Sequence, residues 1–165
     1  MTIEAEKIWR DSMAVMFGER DDIHPQELQD QNLSGPGTFA RGVWRNKSRT
    51  ALLSGDPNGM AVSVLHLGKQ YANDLSEDGI IYHFPNNRTI SQDQADIASL
   101  VNAYNAELKI GVISHGKTQK HRKVQFGQIT DLSDDRCLIL FDTKNIVQSQ
   151  QPASASFTLN ASERE

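Results

Sequence analysis

From Tyr71 to Tyr82 the chain places two phenol rings, the Asp74 carboxylate and an aspartate-glycine turn: Tyr71-Ala-Asn-Asp74-Leu-Ser-Glu-Asp78-Gly79-Ile-Ile-Tyr82. Asp-Gly between apolar runs favours a tight turn, and a hairpin built on it would bring the aromatic residues and Asp74 together. Two aromatic faces and one acceptor carboxylate suit a flat heterocycle that carries an exocyclic amine. Cytosine is such a heterocycle: its N4 amine donates to Asp or Glu, and its ring can lie between aromatic planes. The bland alternative is a pair of strand tyrosines packed on a sheet, with Asp78-Gly79 serving only as turn chemistry.

The elements around this stretch read as short strands with helices laid on them. Met60–Leu67 is expected as a strand after the turn Asp56-Pro-Asn-Gly59, and Gly79–Phe84 as a second. Ser91 opens the clearest helix, with Gln94 completing a capping box and Ile97, Leu100, Val101, Tyr104 and Leu108 forming an apolar stripe. Strands are expected at 110–114, 123–129 and 136–141, the last two separated by a turn at Ser133-Asp-Asp135. Residues 2–17 read as a helix, capped by Thr2, in which Ile8, Val15 and Met16 recur near helical spacing. The chain thus divides into an N-terminal helix and polar loop (1–37), a central domain (38–147) and a linker or frayed tail (148–165). Several short strands with one packed helix indicate an α+β fold, a strongly curved sheet or small barrel with flanking helices.

Composition narrows the classes. The chain has 165 residues, 38% of them hydrophobic and 23% charged, as expected for a globular domain with a single core. No apolar run approaches the ~20 residues of a membrane span. The N-terminus has no positive start and no apolar signal core, so a cytoplasmic protein is expected. Cys137 is the single cysteine, which excludes an internal disulfide and a thiolate zinc site; its apolar neighbours suggest a buried strand position.

A net charge of −4 would argue against a polyanionic partner if it were spread evenly. It is not. Acids crowd the N-terminal region, from Glu4 and Glu6 to Glu27 and Asp30. Arg41, Arg45, Lys47 and Arg49 form one cluster without an acid, and Lys117, Lys120, Arg122 and Lys123 form another with His115 and His121. Local basic patches of this kind are the footprint of a phosphate-binding surface; solvated loops are the competing reading.

The order Gly42-Val-Trp-Arg45, Asn58-Gly-Met-Ala-Val-Ser-Val-Leu65, Tyr71-x-x-Asp74, Asp78-Gly79 and Tyr82 resembles the SRA (SET- and RING-associated, YDG) domain of the PUA-like superfamily. The resemblance covers roughly residues 38–142. It implies a PUA-like curved sheet that reads modified cytosine (5-methyl or 5-hydroxymethyl type) in double-stranded DNA by flipping the base. By position, Tyr71 and Tyr82 match the aromatic sandwich and Asp74 the acceptor of the cytosine amine. Gly68 and His83 would complete the pocket. Arg45, Lys47, Arg49, Lys69, Asn87, Arg88, Lys117, Lys120 and Arg122 would contact DNA, the Asn87-Arg88 loop reaching toward the gap left by the base. Lys69-Gln70 stands where the family usually has a glycine pair, and His83-Phe84-Pro85 where it tends toward small residues. Both departures bear on which modification is read.

Bacterial relatives are often fused to an HNH nuclease of a modification-dependent restriction system. The five histidines here are scattered, without paired metal ligands, so no catalytic residue, metal or cofactor is expected. The chain would be the reading half of such an enzyme, and a homodimer is left open. Three alternatives stay open: a YTH- or EVE-like reader of another modified base or of RNA, a small enzyme using Asp74, His66 or His83, and a protein-interaction domain.

Overall fold

The computed structural model describes residues 2–35, 41–67, 75–84 and 89–142. In chain order these form α1 (Ile3–Phe17), α2 (Pro25–Asp30), β1 (Arg41–Trp44), α3 (Lys47–Ser54), β2 (Ser63–His66), β3 (Gly79–His83), α4 (Ile90–Asn105), β4 (Ile110–His115), β5 (Arg122–Leu132) and β6 (Arg136–Phe141). The strands make one six-stranded mixed sheet in the order β1-β2-β4-β5-β6-β3, in which β2 and β4 are the parallel pair. The fold is α+β.

The long strand β5 joins two half-sheets. Its first part pairs with β4, from Arg122 opposite His115 to Gly127 opposite Ile110. Its second part pairs with β6, from Gly127 opposite Phe141 to Leu132 opposite Cys137. Gly127 lies where both partners meet, and a Cβ there would run into the Leu140 carbonyl oxygen. A bulge between Ile129 and Asp131 follows. Glycine and bulge are the usual means by which a strand bends away from a flat sheet.

Both faces of the sheet are covered. On one side Met13, Phe17, Ile23, Leu28 and Leu33 pack against Val62, Ile113, Val124 and Phe126. On the other, Leu100, Ala103 and Leu108 pack with Val64, Ile80, Tyr82, Val112, Ile129, Cys137 and Ile139. The polar N-terminal region is therefore built into the core, through Phe17 of α1, Leu28 of α2 and a bridge between Ile23 and Arg122.

One helix uses a face that apolar periodicity does not mark, and a second adds polar residues to the face that it does mark. In α1 the expected Ile8, Val15 and Met16 are exposed at 64%, 85% and 47%, and Glu6, Arg10, Met13 and Phe17 point inward. Arg10 donates from Nε to Glu6 Oε2 at 2.9 Å and from one guanidinium nitrogen to the carbonyls of Ala61 and Lys109, both at 2.7 Å. Arg49 of α3 grips the same carboxylate, at 3.0 Å to Oε1 and 2.9 Å to Oε2, with its guanidinium 4.1 Å over the Trp9 ring. In α4 the cap is Thr89, which accepts from Gln92 N at 3.3 Å, two residues before the expected Ser91. Of the expected stripe, Leu100 and Leu108 are buried and Ile97 packs against the same core, whereas Tyr104 is 40% exposed; Asp93, Asp96, Ser99 and Ala103 join the buried side.

Burial works against the charged form of Glu6, but Arg49 and Arg10 outweigh it and hold the carboxyl below its ordinary value of 4.5. Glu6→Gln leaves Arg10 buried without its counter-charge and is expected to cost about 3–5 kcal/mol, read as a lower urea midpoint at unchanged slope. In the natural sequence this contribution is present above pH 4.5 and fades as pH falls through the depressed folded pKa. An unchanged midpoint in the variant would show that the ion cluster does not hold the fold.

Candidate nucleic-acid interface

The register gathers several of the residues singled out above at one end of the sheet. His66, at the end of β2, lies beside Ser114 on parallel β4 and opposite Arg41, which opens β1. Ser114 and His115 pair in turn with Lys123 and Arg122. The His115 ring nitrogen Nε2 is 3.2 Å from the Leu67 carbonyl, which holds residue 67 against the end of β4. The chain continues from Leu67 toward Gly68, Lys69, Tyr71 and Asp74. These four lie outside the described residues, as do Asn87 and Arg88.

The β4–β5 connection at this end is a braced turn. Gly116 N donates to the His121 carbonyl at 2.9 Å, and Lys117 N to the Asp21 carbonyl at 2.7 Å. The Thr118 hydroxyl lies 2.6 Å from His121 Nδ1, whose ring sits 5.2 Å from that of His24. Arg122 donates to the carbonyls of Gln119 and His121 at 2.8 and 3.0 Å, so its guanidinium holds the turn together. Lys117 and Lys120 are exposed and, among the described residues, enter no ion pair.

The other basic cluster divides in the same manner. Arg45 Nε lies 3.3 Å from Asp96 Oδ1, and its guanidinium reaches the Asn58 carbonyl at 3.4 Å. Arg49 is bound to Glu6 as described above. Lys47, the first residue of α3, is exposed. Trp44 donates its indole N–H to the Asn32 carbonyl at 3.0 Å and packs beside the α1-side core.

The Asp-Gly turn forms as expected. Leu75 bridges to Ile80, Ser76 N donates to the Gly79 carbonyl at 2.9 Å, and Asp78 N to the Ser76 hydroxyl at 3.2 Å. Tyr82 is 7% exposed; it pairs with Cys137 and belongs to the α4-side core. His83 pairs with Arg136 and is half-buried, its side chain on the opposite face by the two-residue alternation of a strand. Burial drives the Cys137 thiol up to about 12, which removes its nucleophilicity near neutral pH. Among the described residues no group of His, Cys, Asp or Glu is placed to hold a metal ion. None of the described helices is long and apolar enough to cross a membrane.

One grouping escaped the sequence: the cross-strand row His66, Ser114 and Lys123, brought together only by register. Alternation along Ile110–His115 places Ser114 on the same face as Ile110 and Val112, but nothing in the sequence names its neighbours.

Comparison with protein-family models, with curated proteins and with solved structures gives no match.

Gly116 fixes the basic turn because a Cβ there would meet the Asp21 carbonyl oxygen and come within 2.9 Å of the Arg122 carbonyl oxygen. Gly116→Ala is expected to cost about 1–3 kcal/mol and to speed hydrogen exchange at the Lys117 amide. Unaltered exchange there would mean the turn is not braced against Asp21.

Proposed function

We propose that this chain is a PUA-like, SRA-type reader that binds double-stranded DNA and receives a modified cytosine from it. The supporting observation is the register. Leu67, from which the chain runs on to Tyr71 and Asp74, is bonded to His115 at the sheet end that also carries Lys117 and Lys120. A base-reading segment and phosphate-binding lysines must share one side of a domain to engage one duplex. Phosphate contacts position a protein and base contacts specify the site, and the two sets of residues divide along that line.

In this reading Tyr71 and Tyr82 stack on the extruded base and Asp74 accepts its N4 amine. Tyr82 is 7% exposed in the α4-side core, so stacking a base on it would require the packing over its ring to open. Extrusion costs a few kcal/mol of pairing and stacking, and stacking on an aromatic ring returns about 1–3 kcal/mol per base. One buried methyl group adds only ~0.8 kcal/mol, about fourfold in affinity. Preference for 5-methylcytosine over cytosine is therefore modest, and discrimination against other bases rests on Asp74. An adenine reader would gain more from Asn or Gln, which serve both its amine and its ring nitrogen.

The test is a titration of matched duplexes carrying cytosine, 5-methylcytosine, 5-hydroxymethylcytosine or N6-methyladenine. We expect a modified cytosine to bind most tightly and Asp74→Ala to abolish that preference. Lys117→Ala and Lys120→Ala should each weaken all duplexes alike and lower the salt-dependence slope by about 0.9. Binding that favours N6-methyladenine, or no binding to any duplex at low salt, would overturn the reading.

A further inference from the structure

We propose that Ser114 and Lys123, in the strand row that His66 begins, form an anion subsite that takes a phosphate oxygen. The three stand on adjacent strands in one row, His66 beside Ser114 and Ser114 beside Lys123. Side chains of paired residues share a face, and in the antiparallel pair Ser114–Lys123 the Cβ atoms are expected about 4.5–5.5 Å apart. The neighbouring row on that face is Val64, Val112 and Gln125, of which the two valines belong to the hydrophobic core. The face thus turns from apolar to polar and cationic within one strand repeat, at the sheet end where Leu67 and the basic turn lie.

Ser114 carries the argument. It is 3% exposed, and its hydroxyl has no hydrogen-bond partner among the described residues. Buried hydroxyls are almost always satisfied, because a donor removed from water without a partner is costly. A hydroxyl held in this state beside a lysine and an imidazole is arranged for an acceptor that arrives from outside. Lys123 is half-buried and, among the described residues, in no ion pair. A hydroxyl and an ammonium offer donors side by side, and no carboxylate interrupts the row. That set suits an oxyanion, and charge-assisted bonds of this type are the strong ones.

The phosphate could belong to a bound nucleic-acid strand or be free inorganic phosphate. The nucleic-acid source rests on the reading proposed above; the subsite itself does not. The experiment uses the full chain and two probes. In the first arm, amide resonances are followed while sodium phosphate is added against sodium chloride of equal ionic strength. We expect saturable shifts at His66, Ser114 and Lys123 with phosphate only. Ser114→Ala should weaken phosphate binding about fivefold, and Lys123→Ala should weaken it further. Ser114→Ala should also leave the melting temperature unchanged or raised, since it removes an unsatisfied hydroxyl; a lower melting temperature would mark the hydroxyl as structural and overturn the proposal. In the second arm, a duplex with modified cytosine is titrated, and Lys123→Ala should lower the salt slope by about 0.9. Duplex binding without phosphate shifts, and untouched by Ser114→Ala, would sink the subsite and leave the DNA reading standing. Phosphate shifts lost in Ser114→Ala, with no duplex bound by the natural sequence, would support the subsite and sink the DNA reading.

Discussion

A guanidinium buried to 1% exposure organises one side of this molecule. Arg10 reaches from α1 to the carbonyls of Ala61 before β2 and Lys109 before β4, and shares the Glu6 carboxylate with Arg49 of α3. Four separate segments converge on two charged side chains. The cluster has two guanidinium groups and one carboxylate, so its net charge is positive and Glu6 cannot be replaced without cost. Hydrogen bonds to main-chain carbonyls are what make the burial tolerable, because they replace much of the hydration that Arg10 gives up. α1 is therefore held at a fixed rotation about its axis, with Met13 and Phe17 inward and Ile8, Val15 and Met16 outward. This explains why Ile8 and Val15 are exposed on a helix that is otherwise docked.

The sheet solves a second problem, that of joining two pairs of neighbours to one strand. β5 gives its first half to β4 and its second half to β6 and, through it, β3. The change of partner falls at Gly127, where main chain approaches too closely for a side chain. The consequence for the site is directional. Arg122 and Lys123 begin β5 beside the basic turn, whereas Leu132 ends it opposite Cys137, the partner of Tyr82. Tyr82 and the row of His66, Ser114 and Lys123 nonetheless share a face, the one on which α4 packs.

Local signals were legible in the sequence where one residue pattern dictates one structure. The turn at Asp78-Gly79 and the existence of β4, β6, α1 and α4 all follow from such patterns. What was not legible depends on partners distant in sequence. α3 carries Lys47, Ser48, Arg49 and Thr50 with no apolar periodicity, and it is anchored by Arg49 to Glu6 and by Thr50, whose hydroxyl donates to the Arg45 carbonyl at 2.6 Å. The inward face of α1 carries a charged pair that hydropathy assigns to solvent. α2 hides in a polar loop because His24, Pro25 and Glu27 cap it, and Arg20 clamps Glu27 at 2.8 and 3.0 Å. In the candidate site the basic clusters were visible, but not which cations the fold uses itself.

That last division accounts for how a chain of net charge −4 can still present cationic surface. The acids of the N-terminal region do not merely offset the bases in a sum; they are bonded to particular arginines. Glu6 holds Arg10 and Arg49, and Asp22 and Glu27 hold Arg20, while Asp96 of α4 holds Arg45. Arginine suits such internal duty, since its planar fork makes several directed bonds at once and its charge is weakly hydrated. Lysine is a strongly hydrated point charge on a flexible stem, and Lys47, Lys117 and Lys120 are left exposed. The arginines near the basic turn and α3 thus shape the surface, and the lysines supply its field. Because exposed lysine charge acts through solvent, salt screens it within about 10 Å at 0.1 M. In the DNA reading proposed above, such a surface would hold the duplex without fixing the protein's position along it, so the choice of site would fall to the residues proposed to read the base.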